Sequence, residues 1–249
     1  MSDTGTPAPH AYGDRWASIY DTYPAHPTEA DAEPAADLLA PLAGGAAALE
    51  FGIGTGRVAL AVAARGITVR GIDASAAMLE QLACKPGGDK IDVVTGDITT
   101  CRAAGTFGLV YAVFNTVLMV LTQEGQVQCF RNAAAHLSRG GHFVVEAFIP
   151  EFTKLAGTGA DLVRSIDDEG AWLLSTRHDP LAQLISSDAI RIGPGGVQRY
   201  PTTLRYAWPA ELDLMAQLAG FRLVSRYSDW RRAPVTAQSR NQVSIYQLS

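Results

Sequence analysis

Three glycines at alternate positions are the first sign of chemistry in the chain. Gly52, Gly54 and Gly56 lie in the stretch ALEFGIGTGRVAL, after one apolar run and directly before another. A glycine-rich turn between a strand and a helix lets the backbone approach a ligand and points free N–H groups at it. A tight turn without a ligand needs only one glycine, so the three together indicate a nucleotide-like ligand.

The spacing of these glycines distinguishes between classes of nucleotide. A dinucleotide fingerprint needs glycine at its sixth position for close helix packing, and counted from Gly52 that position is Arg57. The stretch EFGIGTG resembles instead the first motif of class I S-adenosylmethionine-dependent methyltransferases, with Glu50 as its opening acidic residue. In that family the loop contacts the methionine portion and the ribose of the cofactor. The resemblance therefore implies S-adenosylmethionine as cofactor and S-adenosylhomocysteine as product.

The ends of the next two predicted strands continue the family signature. Asp73 ends the second strand, where the family places an acidic residue on the ribose hydroxyls. The alternative role of Asp73 is to cap the N-terminus of the following helix, but Ser75 is also a candidate for that role. Residues 96–98 (Gly-Asp-Ile) end the third strand at the adenine-recognition step of the family, and a plain turn aspartate is the alternative for Asp97.

The fourth predicted strand ends at Phe114 and Asn115, where the family bends around the methionine end of the cofactor beside the reactive methyl. All four motifs thus fall at carboxyl ends of strands, where an open α/β sheet binds ligands. The cofactor-binding residues that the resemblance implies are Tyr20, Glu50, Gly52, Gly54, Gly56, Arg57, Asp73, Ala74, Met78, Gly96, Asp97, Ile98, Phe114 and Asn115.

Alternating strand and helix signals supply the elements that position these residues. Strands are predicted at 46–51, 67–73, 91–97, 107–115 and 142–149, and helices at 57–64, 75–84 and 122–137. This alternation indicates right-handed crossovers and a parallel sheet that is buried on both faces. Together with the resemblance it predicts an α/β protein with the Rossmann-like, seven-stranded methyltransferase fold and a mostly parallel sheet.

The pattern changes after Pro150, and the chain divides into four predicted segments. Residues 160–207 show β-type alternation and a GPGG turn, which predict two to four antiparallel strands inserted as a cap. A helix that begins with Pro209 follows, and two antiparallel strands close the chain. The segments are 1–45, a tail and helical lid; 46–159, the cofactor-binding core; 160–207, the β cap on the substrate side; and 208–249, the last helix and strands of the core.

Aromatic residues before the core are candidates for the acceptor side. Tyr12, Trp16 and Tyr20 are spaced as on one face of a short helix at 11–21, and burial of that face on the sheet edge is the alternative. In the family such a helix covers the cofactor, which implies Tyr12, Tyr20 and Phe114 as catalytic residues that face the sulfonium. The remaining candidates for contact with the substrate are Trp16, His178, Arg205 and Tyr206.

Two histidines are expected to differ in role, one as a candidate for catalysis and one as a surface residue. His178 lies in the predicted cap beside Arg177 and Asp179 and is the candidate acid–base residue, with a surface loop as the alternative. A hydroxyl acceptor would want such a base, whereas an amine can react without one. His136 is expected to face outward on its helix.

Composition narrows the classes of function. A net charge of −5 and a pI near 5.5 argue against a nucleic-acid surface. The polar start MSDTGTPAPH shows no signal peptide, and no stretch has the roughly 18 apolar residues of a membrane helix, so we expect a cytoplasmic protein. Cys84, Cys101 and Cys129 lack metal-like spacing, which predicts reduced thiols and no metal.

These observations predict methyl transfer from S-adenosylmethionine to a small molecule, an amine of a secondary metabolite in preference to a hydroxyl. The stretch at 114–117 reads FNTV and lacks the Asn-Pro-Pro-aromatic motif of nucleic-acid amine methyltransferases. The layout resembles that of antibiotic-tailoring enzymes, the lincosamide and amino-sugar N-methyltransferases. O-methylation and a non-catalytic cofactor-binding protein are the alternatives, and homo-oligomerisation is left open.

Overall fold

The computed structural model describes residues 8–151, 159–168 and 170–249 of the chain. The first seven residues of the expected tail, and residues 152–158 at the end of the expected core segment, lie outside this range. Within it the strands form two separate sheets, one of seven strands and one of four.

Strands and helices alternate through the first 150 residues. In chain order the elements are α1 (Ala11–Trp16), α2 (Ala32–Leu42), β1 (Ala48–Phe51), α3 (Arg57–Ala63), β2 (Val69–Asp73), α4 (Ala76–Ala83), β3 (Asp92–Thr95), β4 (Phe107–Ala112), α5 (Gln123–His136) and β5 (Leu137–Phe148). The five strands pair in parallel. Every residue of β1 and β4 is buried, since a parallel sheet with helices on both faces exposes neither side of its central strands.

The rest of the chain builds the second sheet and completes the first. Residues 159–205 form four consecutive antiparallel strands, β6 (Gly159–Asp167), β7 (Gly170–Asp179), β8 (Leu184–Gly193) and β9 (Gly196–Arg205). The chain continues through α6 (Pro209–Leu218), β10 (Phe221–Tyr227) and β11 (Asn241–Leu248), and β11 pairs antiparallel with both β10 and β5. The order β10-β11-β5-β4-β1-β2-β3 confirms the predicted fold class.

Several predicted element boundaries differ from the structure: β3 ends at Thr95 rather than at 97, β4 ends at Ala112 rather than at 115, and two further boundaries are wrong by five residues. Helix α1 ends at Trp16, so Tyr20 lies beyond it in a series of turns. Packing of the Trp16 ring against Tyr23 and Tyr200 turns the chain here, a tertiary effect that local spacing does not contain. Strand β5 begins at Leu137 rather than at 142, because the backbone becomes extended directly after the last residue of α5.

His136 is buried, contrary to the expectation that it faces outward, with 2% of its surface exposed. Its Nδ1 lies 2.8 Å from the carbonyl oxygen of Asn132, which can only accept, so Nδ1 is the donor. Nε2 then accepts from the backbone N–H of Ala103 at 3.1 Å. The loop after β3 covers this face of α5 and makes the inward position favourable.

The four-stranded sheet packs one face against the N-terminal segment, defined here as residues 8–31. The ring of Trp172 on β7 lies 4.8 Å from that of Tyr23, and the ring of Tyr200 on β9 lies 5.1 Å from that of Trp16. These aromatic rings form a small core of their own. The N-terminal segment therefore lies between the four-stranded sheet and the strand ends of the larger sheet.

Candidate active site

The glycine loop between β1 and α3 is shaped by left-handed backbone that glycine adopts at little cost. Gly52 has a φ of +67°, and a Cβ there would lie 2.6 Å from Cγ2 of Thr116. Gly56 has a φ of +80° immediately before α3, and its Cβ would overlap the Leu82 side chain. The loop is thus pressed against its surroundings on two sides, which explains why a single glycine does not suffice.

Asp73, at the end of β2, is hydrogen-bonded to this loop. Its Oδ2 accepts from the backbone N–H of Gly54 at 2.8 Å, and its Oδ1 accepts from that of Ser75 at 2.9 Å. Burial raises the pKa of the carboxyl, and the backbone N–H groups oppose that rise. Ser75, not Asp73, is the residue whose side chain caps α4, by accepting from Met78 N at 3.2 Å. Each Asp73 oxygen keeps a second lone pair for a ligand hydroxyl.

A cavity of about 390 Å³ opens at these strand ends. It falls within the size range of small-molecule and cofactor sites. The predicted site residues on its wall are Tyr12, Tyr20, Gly52, Gly54, Asp73, Ala74, Met78, Asp97, Ile98 and Phe114. Asp97 also has a turn role, since its Oδ1 accepts from the N–H and hydroxyl of Thr99, both at 2.8 Å.

A second cavity of about 40 Å³ adjoins the first and contains the predicted residues Glu50 and Arg57. Oε2 of Glu50 is buried and has no hydrogen-bond partner within the described residues. Burial raises the pKa of Glu50 from 4.5 to about 8, although the nearby Tyr111 hydroxyl and Arg57 lower it in part. A carboxyl group beside a guanidinium group can bind a ligand that carries both an ammonium and a carboxylate.

Three predicted residues lie behind the cavity wall rather than on it. Gly96 packs against Cys101 and donates its N–H to the carbonyl of Asp73 at 2.8 Å. Gly56 shapes the start of α3, and Oδ1 of Asn115 accepts from the N–H of Phe148 at 2.8 Å. These residues support the backbone of the wall.

Hydrogen bonds fasten the N-terminal segment at two points, one at the start of α4 and one at the glycine loop. Near its start, Asp14 accepts a hydrogen bond from the Ser75 hydroxyl at 2.6 Å. Further along, Asp21 accepts from the Thr55 hydroxyl at 2.8 Å and pairs with Lys85 at 2.7 Å. These bonds hold the Tyr12 and Tyr20 rings against the cavity.

His26 is a contact residue that sequence reasoning missed. Its Nδ1 lies 2.9 Å from the carbonyl oxygen of Tyr20, and its ring lies 4.4 Å from the Tyr20 ring and 5.4 Å from the ring of Phe114. Burial lowers the pKa of His26. It thus joins the N-terminal segment to the turn after β4. No local pattern predicts this contact, since His26 lies in a loop between Pro24 and Pro27.

Glu146 is the second missed residue. It lies on β5, and its Oε2 accepts from the backbone N–H of Phe114 at 2.7 Å, while its Oε1 accepts from the indole N–H of Trp230 at 3.0 Å. The sequence signal that could have identified Glu146 is a charged residue inside the apolar run FVVEAF.

Four candidate substrate residues are placed away from the wall of either cavity. Trp16 is enclosed by aromatic rings, and its indole N–H is 3.4 Å from the Pro201 carbonyl. Arg205 is buried in an ion pair of 2.7 Å with Glu211, which satisfies a charge that burial would otherwise penalise. Tyr206 is buried too, and its hydroxyl lies 3.1 Å from Nε2 of His178. These side chains have packing or hydrogen-bond partners within the protein, and their expected contact with the substrate stays a prediction.

The described residues lack two kinds of feature. They contain no group of three or more His, Cys, Asp or Glu side chains arranged to hold a metal ion. In the same residues, no helix has both the length and the apolar character needed to cross a membrane.

Known proteins resemble the chain over most of its length. A methyltransferase-domain family matches residues 48–141. The solved structure of the CcbJ methyltransferase from Streptomyces caelestis is 37% identical, with a TM-score of 0.91, and the match covers 98% of this chain and 100% of that one. The cypemycin N-terminal methyltransferase of a Streptomyces species is 27% identical over 202 residues, 81% of this chain and 82% of that protein.

The fold is shared more widely. CalS10, an amino pentose methyltransferase from Micromonospora echinaspora whose structure holds S-adenosylmethionine, is 21% identical with a TM-score of 0.68, covering 89% of this chain and 91% of that one. The cavity at the strand ends, the glycine loop and the full-length similarity to CcbJ together confirm the part of the prediction that names methyl transfer and S-adenosylmethionine as its cofactor. The chain belongs to the S-adenosylmethionine-dependent methyltransferases.

Proposed function

We propose that the enzyme methylates an amine of a small-molecule secondary metabolite. The observation that carries this proposal is the aromatic end of the larger cavity, where Tyr12, Tyr20 and Phe114 lie on the wall. Burial raises the pKa of both phenols well above neutrality, so they stay protonated and uncharged. Neutral aromatic rings stabilise a cationic centre, but a protonated phenol cannot take a proton from a hydroxyl acceptor.

An amine suits such a wall because it needs no dedicated base on the protein. S-adenosylmethionine supplies the methyl group on a positively charged sulfur. The acceptor nitrogen loses its proton to water before attack, and its lone pair forms the new C–N bond as the C–S bond breaks. The protein's part is then alignment and exclusion of water, for which a shaped, apolar wall is sufficient. The similarity to the cypemycin N-terminal methyltransferase, whose name places its reaction at an amino terminus, supports an amine acceptor.

The residues at the carboxyl ends of the strands support a specific placement of the cofactor. Asp73 would hold the ribose hydroxyls, Asp97 and Ile98 would border the adenine, and Glu50 with Arg57 would face the methionine end. Phe114 and Tyr20 line both cavities and would therefore lie beside the sulfonium.

The four-stranded sheet is proposed as the acceptor side, as the division of the chain at residues 160–207 predicts. It packs on the N-terminal segment, which carries Tyr12 and Tyr20. An acceptor that approaches from this side would meet the methyl group between the tyrosines and Phe114.

Matched pairs of acceptors test the proposal. Each pair shares one skeleton, an amino sugar or an amino-acid derivative, and differs only in an amine or a hydroxyl at one position. We expect mass spectrometry to show one added methyl on the amine member alone, with a rate that rises with pH as free amine accumulates. Methylation of the hydroxyl member at a comparable rate would contradict an amine-specific site.

A further inference from the structure

The turn that follows β4 holds an unusual backbone conformation. Phe114 has a φ of +50° and Asn115 a φ of +68°, a left-handed conformation that side chains disfavour. Residues in such strained conformations persist only where the surrounding structure holds them, and they cluster at functional sites. Phe114 lines both cavities, so its backbone conformation decides where its ring lies.

Glu146 on β5 makes the contacts that hold this turn. Its side chain accepts from Phe114 N at 2.7 Å, and its backbone carbonyl accepts from Asn115 N at 3.2 Å. The second carboxylate oxygen accepts from the Trp230 indole at 3.0 Å. The two oxygens thus receive N–H groups from two different loops, which fixes the orientation of the carboxylate.

We propose that Glu146 is a positioning residue for methyl transfer. Its carboxylate, held by Trp230, keeps the Phe114 turn in the conformation that places the Phe114 ring at the methyl-transfer end of the cavity. Glu146 itself lines neither cavity and does not meet the substrate. The inference rests on the proposed placement of Phe114, and the variants below separate the two.

The chemistry of the carboxylate makes this role testable. A carboxylate accepts from both N–H groups at once, whereas a glutamine amide has one accepting oxygen and one donating NH₂ group. In Glu146→Gln the indole of Trp230 and the N–H of Phe114 compete for one acceptor. Removing the indole N–H with Trp230→Phe leaves the amide oxygen free for Phe114.

The experiment compares Glu146→Gln, Trp230→Phe and the double variant by kcat, by KM for the acceptor and by calorimetric affinity for S-adenosylhomocysteine. We expect Glu146→Gln to lower kcat by roughly 10- to 100-fold, because a displaced Phe114 ring would no longer align the acceptor with the methyl group in the transition state. S-adenosylhomocysteine affinity should change less than about threefold. Trp230→Phe should lower kcat by a smaller factor, and the double variant should recover kcat to about the level of Trp230→Phe.

Glu211→Gln is the matched control for stability. Glu211 is also a partly buried carboxylate that accepts several hydrogen bonds, from Arg205, Gln183 and Gln123, and these three partners lie outside the Phe114 turn. It should lower the melting temperature without a comparable loss of kcat. Equal losses of kcat in Glu146→Gln and Glu211→Gln, or a double variant no better than Glu146→Gln, would overturn the positioning role.

Phe114→Leu separates failure of this inference from failure of the proposed function. If Phe114→Leu lowers kcat and both Glu146→Gln and Trp230→Phe leave it unchanged, the role of Glu146 is wrong and the placement of Phe114 stands. If Phe114→Leu also leaves kcat unchanged, the placement fails and the role of Glu146 fails with it. An amine acceptor is tested independently by the matched pairs.

Discussion

The carboxylate of Asp73 and the backbone N–H of Gly54 are joined by a hydrogen bond of 2.8 Å. The residue proposed to bind the ribose therefore also fixes the middle of the glycine loop. A substitution at Asp73 therefore affects both ligand binding and the conformation of the loop, and two different substitutions are needed to separate these effects.

Asp73→Ala should weaken S-adenosylmethionine binding by about 1.5–3 kcal/mol, roughly 10- to 150-fold in Kd, because it removes hydrogen bonds to a charged acceptor. Asp73→Asn keeps one accepting oxygen for Gly54 N or the ribose and should lose less. Isothermal calorimetry on both variants measures the difference. A folded Asp73→Ala protein with wild-type affinity would rule out the ribose role.

Tyr20→Phe should lower kcat several-fold with little change in melting temperature. Tyr20 lines the cavity, and the neighbouring Asp21 anchors this part of the segment through Thr55 and Lys85, so removal of the phenol hydroxyl changes the cavity wall and leaves the anchor in place. Tyr23→Phe is the matched control, since Tyr23 belongs to the same aromatic cluster but lies off the cavity wall. Equal kcat values for the two variants would favour a packing role for Tyr20.

Glu50 should make the stability of the ligand-free protein depend on pH. Burial raises its pKa from 4.5 to about 8, so between these values the unfolded chain ionises while the folded protein keeps its proton. The contribution of Glu50 to the free energy of unfolding is therefore full below pH 4.5 and is lost as the pH rises towards 8, by at most about 1.4 kcal/mol per pH unit.

Glu50→Gln has no ionisable group at this position, so it is the reference against which the pH dependence of the wild-type stability is measured. Urea unfolding at pH 5, 6.5 and 8 should show the stability difference between the two proteins shifting in favour of Glu50→Gln as the pH rises. A difference that stays constant over this range would mean that Glu50 ionises normally.

His178→Ala should keep turnover within about tenfold of the wild-type rate, well short of the ~10²–10⁴-fold that a general base contributes. His178 pairs with the Tyr206 hydroxyl and lies off the cavity wall. Steady-state kinetics with an amine acceptor measures the effect. A collapse of turnover with cofactor binding intact would point to a hydroxyl acceptor and a base that reaches it.

The periodicity of apolar residues was sufficient to predict the strands and helices of the larger sheet, because each of these elements has a local sequence pattern. The run that ends in Asp73 alternates as a buried strand, and Pro209 marks the start of α6 as predicted. Motifs at strand ends could be located because a parallel sheet brings its carboxyl ends to one edge whatever the loops do.

Contacts between distant parts of the chain could not be found in this way. His26 meets Phe114, and Glu146 meets both Phe114 and Trp230, through approaches that only the folded chain creates. The burial of His136 has the same origin, because the loop that covers it follows another strand. The ion pair of Arg205 with Glu211 is a further contact of this kind, since the local sequence around Arg205 does not show that the side chain is buried.

The four-stranded sheet is made from one unbroken stretch of chain, residues 159–205, and none of its strands pairs with the larger sheet. Exchange of that stretch between related genes would leave in place the strand-end residues that are proposed to bind the methyl donor. Because Trp16 and Tyr23 pack against Tyr200 and Trp172, the exchanged piece would have to travel with its own N-terminal residues. If the four-stranded sheet is the acceptor side, as proposed, inheritance of these two pieces together would be enough to change the acceptor of a methyltransferase without a change in its donor site.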